Sequence, residues 1–149
     1  MLNTSTITKT NLNLDYLPLK REEITVLLIG NNPSEMATIY SHLIRNRFKN
    51  YVADVCFDIT DSFDRIGKLK PRVVLLDDNL PIEDVNRLVK ILHSNSKTRH
   101  IKIIILKSSN WNFNVIDNVD DYLLKDHVNR ENLDKSIERC LNNETALVF

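Results

Sequence analysis

Glycine, cysteine and net charge are the scarce features of this chain of 149 residues. It has two glycines, Gly30 and Gly67, which excludes the glycine-rich loops that cradle phosphates in nucleotide-binding proteins. The two cysteines, Cys56 and Cys140, have apolar neighbours and form no CxxC pair. We therefore expect buried cysteines in a reducing compartment, and neither a disulfide scaffold nor a metal site. Twenty basic and twenty acidic side chains cancel, which argues against a protein devoted to binding nucleic acid or anionic membranes.

Long apolar runs are also missing. No segment approaches the ~20 apolar residues that a membrane span requires, and the N-terminus lacks the apolar stretch of a signal peptide. These absences predict a cytoplasmic protein without membrane association. The length suits one domain, and composition divides the chain into a poorly ordered arm (1–22), a domain (23–143) and a short tail (144–149).

Short apolar runs alternate with amphipathic segments from residue 24 onward. Each amphipathic segment has apolar residues at helical spacing, and the first is introduced by Asn32-Pro33, a cap followed by a favourable first helical residue. This alternation predicts an α/β fold with a parallel sheet covered on both faces. Five strands favour the flavodoxin-like, doubly wound order 2-1-3-4-5. The predicted strands are Thr25–Ile29, Tyr51–Phe57, Arg72–Leu76, Ile101–Leu106 and Val119–Leu124.

In such a fold, functional residues lie at the carboxyl ends of the strands. Two of these ends carry the motifs VVLLDDNLP at 73–81 and DYLLK at 121–125. These motifs resemble those of the receiver domains of two-component response regulators, and the resemblance extends over roughly residues 24–142. It implies that Asp77 is the phospho-acceptor, that Lys125 contacts the phosphoryl group, and that Tyr122 is the aromatic residue that responds to activation.

Other positions depart from the receiver pattern. Receivers carry two acidic residues directly after the first strand, where they hold Mg²⁺, but this chain has Gly30 and Asn31 there. The family's Ser/Thr after the fourth strand falls on Lys107, and Ser108 is the alternative if the strand end is shifted.

Charge counting then gives an expectation about the metal. The resemblance makes Asp78, Lys107, Ser108 and Lys125 the expected neighbours of the phosphate site. If Asp78 continues the strand alternation it points away from Asp77, so one carboxylate would face two lysines, Lys107 and Lys125. Two unit charges 4 Å apart interact by about 4 kcal/mol at an effective dielectric near 20. We therefore expect weak or absent Mg²⁺ binding, no other cofactor, and an ion pair between Lys107 and Asp77 as a possible substitute.

The segment between Lys107 and Lys125 is short for a receiver and lacks a helical stripe, so we expect the fourth helix to be shortened or lost. Its Trp111 and Phe113 are candidate contacts for a protein partner.

The sequence favours an atypical receiver without enzymatic activity, which acts by binding a protein such as a histidine kinase or a downstream signalling protein. A homodimer is also possible. The first alternative is a conventional response regulator phosphorylated on Asp77. A remote alternative is a small flavodoxin-like, cofactor-binding enzyme, for which no phosphate loop or nucleophile–base pair is found.

Overall fold

A central parallel sheet organises the chain, as seen in a computed structural model that describes residues 22–108 and 116–146. Its strand order is β2-β1-β3-β4-β5, which confirms the predicted topology. Each strand lies within two residues of its predicted start and end. The bounds are β1 Glu23–Ile29, β2 Asn50–Cys56, β3 Val73–Asp77, β4 Lys102–Lys107 and β5 Asp121–Leu124.

Four α-helices accompany the sheet in the described part of the chain: α1 Pro33–Ile44, α2 Ile59–Leu69, α3 Ile82–Ser94 and α4 Arg130–Ala146. The α1 cap is as predicted, since the Asn32 side chain accepts hydrogen bonds from the Ser34 and Glu35 amides. Asn129 likewise accepts from the Asn132 amide at the start of α4. These bonds satisfy amide groups that have no partner within a helix.

Alternate side chains of the central strands enter two separate apolar cores. On β1, Val26 and Leu28 pack with α1 and α4, whereas Leu27 and Ile29 pack with α2 and α3. Strand β3 is buried along its whole length. This is the pattern of a strand covered on both faces, and it explains why the central strands are continuously apolar. Both cysteines are buried and free, Cys56 in one core and Cys140 in the other.

Helix α4 contacts both edges of the sheet. At the β2 edge, Asp134 accepts a hydrogen bond from the Tyr51 hydroxyl and pairs with Lys49. At the β5 edge, the Ser136 hydroxyl and the Arg139 guanidinium both donate to Asp121. The last helix is thus fastened by polar contacts at the two outer strands, in addition to its apolar face.

The connection between β4 and β5 occupies residues 108–120. Residues 108 and 116–120 are described and contain no helix. Residues 109–115, with Trp111 and Phe113, lie outside the described residues, as does the arm 1–21, so the predictions about them stay predictions. No helix in the described ranges is long and apolar enough to cross a membrane.

Candidate functional site

Asp77 and Lys125 meet at the carboxyl edge of the sheet, as predicted. Asp77 is the last residue of β3, and Lys125 directly follows β5. The Lys125 ammonium donates to the Asp77 carboxylate at 2.8 Å. The Asp77 side chain is 0% exposed and that of Lys125 is 13% exposed, so the lysine covers a carboxylate that has no access to solvent.

Asp78 also belongs to this site, in keeping with its place among the predicted neighbours of Asp77; the alternation argument that would point it away from Asp77 is wrong. One of its carboxylate oxygens lies 3.1 Å from the Lys125 ammonium, and its side chain is 2% exposed. The chain turns at Asp78 and Asn79, directly after β3. Because the extended conformation ends there, the alternation of side chains between the two faces of a strand no longer applies.

A third carboxylate comes from the first turn of α1. The Glu35 side chain reaches to 3.6 Å from the Lys125 ammonium. Three carboxylates, those of Glu35, Asp77 and Asp78, therefore surround one lysine. The expected charge balance of one carboxylate against two lysines is wrong, and the site is acidic.

The expected ion pair between Lys107 and Asp77 is not formed. Lys107 ends β4, and its ammonium lies 5.8 Å from the centre of the Tyr122 ring, a distance typical of a cation–π contact. In the sheet register Asp77 pairs with Leu106, so Lys107 is one residue further along and projects to the opposite face. Strand register was the signal that could have shown this from the sequence.

Ser108 is the hydroxyl residue that reaches the site. Its amide and its hydroxyl both donate to one Asp78 oxygen, at 2.6 and 2.7 Å. The Tyr122 ring packs against the core beneath α2 and α3, and its hydroxyl bonds the backbone of Ile116. Tyr122 is thereby connected to the β4–β5 segment; its role as a switch stays a prediction.

The two positions after β1 do not resemble metal ligands. A Cβ atom at Gly30 would lie 2.7 Å from the Met36 sulfur and 2.9 Å from the Asp77 Cβ atom, so the position has no room for an acidic side chain. The Asn31 side-chain amide donates to the backbone carbonyl oxygen of Asn79 at 3.3 Å. An amide donor directed at that oxygen occupies a group that could otherwise ligate a hard cation.

Burial and charge set the protonation of the site. Burial raises the pKa of Asp77, and the nearby Glu35 charge adds to the rise, although the bond from Lys125 opposes it. Burial also opposes ionisation of Asp78, but the two bonds from Ser108 and the contact with Lys125 lower the pKa of that residue overall. The same contacts raise the pKa of Lys125 despite its burial. Asp77 is therefore the first of the two aspartates to take up a proton.

The fit of a divalent cation can be judged from these contacts. One oxygen each of Glu35, Asp77 and Asp78 is buried without a hydrogen bond from the described residues. Such oxygens suit a cation, but the Lys125 ammonium already lies among them. Within the described ranges, no group of three or more His, Cys, Asp or Glu side chains is placed to hold a metal ion. Among the described residues, Lys125 supplies the positive charge that lies amid these three carboxylates.

Comparison with solved structures places the architecture among known folds. The signal receiver domain of an HD-domain-containing protein from Pseudomonas fluorescens Pf-5 has a TM-score of 0.68 and 15% identity, covering 84% of this chain and 99% of that one. A receiver domain from Clostridium thermocellum has 0.66 and 19%, covering 83% and 98%. The chemotaxis response regulator CheY4 of Vibrio cholerae has 0.64 and 19%, covering 80% and 100%.

The fold is that of response-regulator receiver domains. At these identities the likeness shows the fold alone. No sequence-family description matches the chain, and no curated protein matches it. The function of this receiver fold has to be argued from its own side chains.

Proposed function

We propose that this chain is an atypical receiver of two-component signalling that acts by binding a protein partner, with Mg²⁺-dependent phosphorylation weak or absent. The observation that carries the proposal is the Lys125 ammonium amid three carboxylates, directly over a fully buried Asp77. The proposed partner is a histidine kinase or a downstream signalling protein. The chain is proposed to be a binding module without enzymatic activity.

The burial of the Asp77 carboxylate supports the proposal. Phosphorylation would require a carboxylate oxygen of Asp77 to attack an incoming phosphoryl group. In this structure that carboxylate is 0% exposed and bonded to Lys125. Lys125 would have to move first, and it would leave three carboxylates in contact without their counter-charge.

The metal requirement supports it as well. Phosphoryl transfer depends on cations that neutralise the charge of the transferred oxygens. Here Gly30 has no room for an acidic side chain, and Asn31 directs a donor at the site. The lysine directly follows β5 and neutralises part of the carboxylate charge that a divalent ion would otherwise meet.

One observation favours the conventional response regulator as a second candidate. Three carboxylates and one lysine give the site an excess of negative charge, and hard cations prefer such surroundings. In that case a metal would displace the lysine, and Asp77 would accept the phosphoryl group.

The test is a Mg²⁺ titration followed by amide NMR, repeated with beryllofluoride, and intact-mass measurement after acetyl-phosphate treatment. We expect no saturable shift around Asp77 at millimolar Mg²⁺ and no added phosphoryl mass. A conventional receiver domain is the positive control. Saturable Mg²⁺ binding in the sub-millimolar range, with phosphoryl mass that disappears in Asp77→Asn, would establish the second candidate instead.

A gain-of-function variant sharpens the test. Restoring both acidic positions is sterically blocked, because a side chain at Gly30 would collide with Met36 and Asp77. Asn31→Asp is the feasible change, since it adds a carboxylate and removes the amide donor. We expect it to tighten Mg²⁺ binding at least roughly tenfold, because a carboxylate about 4 Å from a divalent ion contributes about 8 kcal/mol at an effective dielectric near 20 before desolvation. No gain would contradict the charge argument.

A further inference from the structure

A basic stretch stands apart from the balanced charge of the rest of the chain. Residues 36–53 contain no Asp or Glu, yet they include Arg45, Arg47 and Lys49. Lys49 is neutralised, since it pairs with Asp134 and Glu138 on α4. The positive charge that concerns the groove is that of Arg45, at the end of α1, and of Arg130, which contacts its backbone.

The guanidinium groups of Arg45 and Arg130 are the central part of this surface. Arg130, the first residue of α4, donates through Nη1 to the backbone carbonyl oxygen of Arg45 at 3.2 Å, which fixes its position. Neither guanidinium lies within ion-pair distance of a carboxylate of the described residues. His42 lies beside them, and burial together with the Arg130 charge lowers the pKa of its imidazole.

These cations border a cleft with small side chains. The cleft has a volume of about 520 Å³, and we call it the α1–α4 groove; it is lined by Ser34, Ala37, Thr38, Ser41, His42, Arg45 and Arg130. Small residues along α1 leave room for an extended segment of chain, and the arginines stand at one end.

An exposed aromatic ring continues the surface. Phe48 is 83% exposed, and Ile44, the last residue of α1, is 49% exposed. Phe48 and Arg47 line a second cleft of about 350 Å³ that shares Arg130 with the α1–α4 groove. The two clefts meet at Arg130, and Phe48 lies at the side of one of them. The surface therefore offers a partner both positive charge and an apolar contact.

The geometry points to the α1–α4 groove as the docking site for an acidic peptide segment of a protein partner, one that carries an apolar residue for Phe48. This inference rests on the proposed function, because it names the surface and the chemistry of the partner. Arg45 and Arg130 lack carboxylate partners in the described structure, and partner carboxylates would supply them in bidentate form.

The test uses a fluorescein-labelled peptide of about 12 residues with a central Leu between Glu residues, and a counterpart with Gln in place of every Glu. We expect saturable binding of the acidic peptide that weakens with added salt, and little binding of the Gln peptide. Amide shifts should fall along α1 and the start of α4. Equal binding of the two peptides, or shifts on another face, would overturn the proposal.

Matched variants separate the groove from general charge effects. Arg45→Gln with Arg130→Gln should weaken binding roughly tenfold or more, since two charge-assisted contacts are lost. Arg87→Gln with Lys90→Gln removes the same charge from exposed positions on α3 and should leave binding unchanged. Equal weakening in both pairs would overturn the groove.

A steric variant keeps every charge in place. Ala37→Trp fills the groove at an exposed helix position, so circular dichroism should stay native while binding falls. Undiminished binding in this variant would contradict the proposal. Failure of the proposed function and failure of the groove can be told apart. Mg²⁺-dependent phosphorylation would refute the proposed function and leave the peptide titration unchanged, whereas peptide binding that is unaffected by Arg45→Gln with Arg130→Gln would refute only the groove.

Discussion

Replacing Lys125 by methionine, which keeps the length of the side chain and removes its charge, probes the centre of the site. At 2.8 Å from Asp77, the ion pair has a Coulomb energy of about 6 kcal/mol at an effective dielectric near 20, most of it offset by desolvation. Removing one partner of a buried pair nevertheless costs about 3–5 kcal/mol, because the remaining charge is left uncompensated. We expect Lys125→Met to lower the free energy of unfolding by that amount at neutral pH.

The cost should depend on pH with a definite sign. Without Lys125, the carboxylates of Asp77 and Asp78 lose their counter-charge, and their pKa values in the folded state rise. The folded chain then binds more protons than the unfolded chain, so acidification recovers stability by up to about 1.4 kcal/mol per pH unit for each extra proton. Asp77→Asn in the Lys125→Met background should restore part of the loss at neutral pH.

Urea unfolding followed by circular dichroism between pH 5 and pH 8 measures these differences. Lys68→Met is the matched control, because that lysine is exposed and pairs with Asp64 on the surface of α2, where about 0.5 kcal/mol is expected. A cost below about 1 kcal/mol for Lys125→Met, or a cost that is the same at both pH limits, would refute the description of a buried pair.

Three further changes test separate contacts of the site by the same unfolding assay. Gly30→Ala should lose about 1–3 kcal/mol through its collisions, whereas Gly67→Ala, with open space in α2, should gain about 0.5–1 kcal/mol; equal effects would contradict the crowding at Gly30. The raised pKa of Asp77 makes the folded state lose stability as the pH rises above about 4, so Asp77→Asn should flatten the plot of unfolding free energy against pH above pH 4. The pKa of Asp78 is shifted in the opposite direction, so Asp78→Asn should flatten the same plot below pH 4; identical plots for the two variants would count against both assignments. Ser108→Ala should cost about 1.5–3 kcal/mol and raise the pKa of Asp78, visible in a carboxyl-carbon NMR titration; an unchanged pKa would show that the hydroxyl bond is unimportant.

The strand order was predictable because hydrophobic pattern and chain direction decide it together. The continuously apolar runs of β1, β3 and β4 can only be buried on both faces, and alternating helices make the strands parallel. The same reasoning brought Asp77 and Lys125 to one edge. The spacing of apolar residues and the order of strands and helices can both be read directly from a sequence.

The directions of individual side chains at the carboxyl edge of the sheet were harder to predict from the sequence. Asp78 turns inward because the backbone leaves the extended conformation there, and no periodic rule covers a turn. Glu35 lies in the first turn of α1, where the predicted cap puts it, but its contact with Lys125 depends on the distance between α1 and the end of β5, which the hydrophobic pattern does not give. Lys107 is different, since register against Asp77 would have placed it on the far face.

Because α4 makes polar contacts with both β2 and β5, detachment of this helix affects both outer strands at once. The β2 and β5 edges lie about 19 Å apart across the sheet, at four strand spacings, and share no hydrogen bond. Asp134 holds one edge and Asp121 is held at the other, both through the same helix. When α4 lifts away, Tyr51 and Asp121 lose their partners together. Substitutions in α4 that weaken its contacts should therefore raise the amide hydrogen-exchange rates of β2 and β5 together, while β3 exchanges only on complete unfolding.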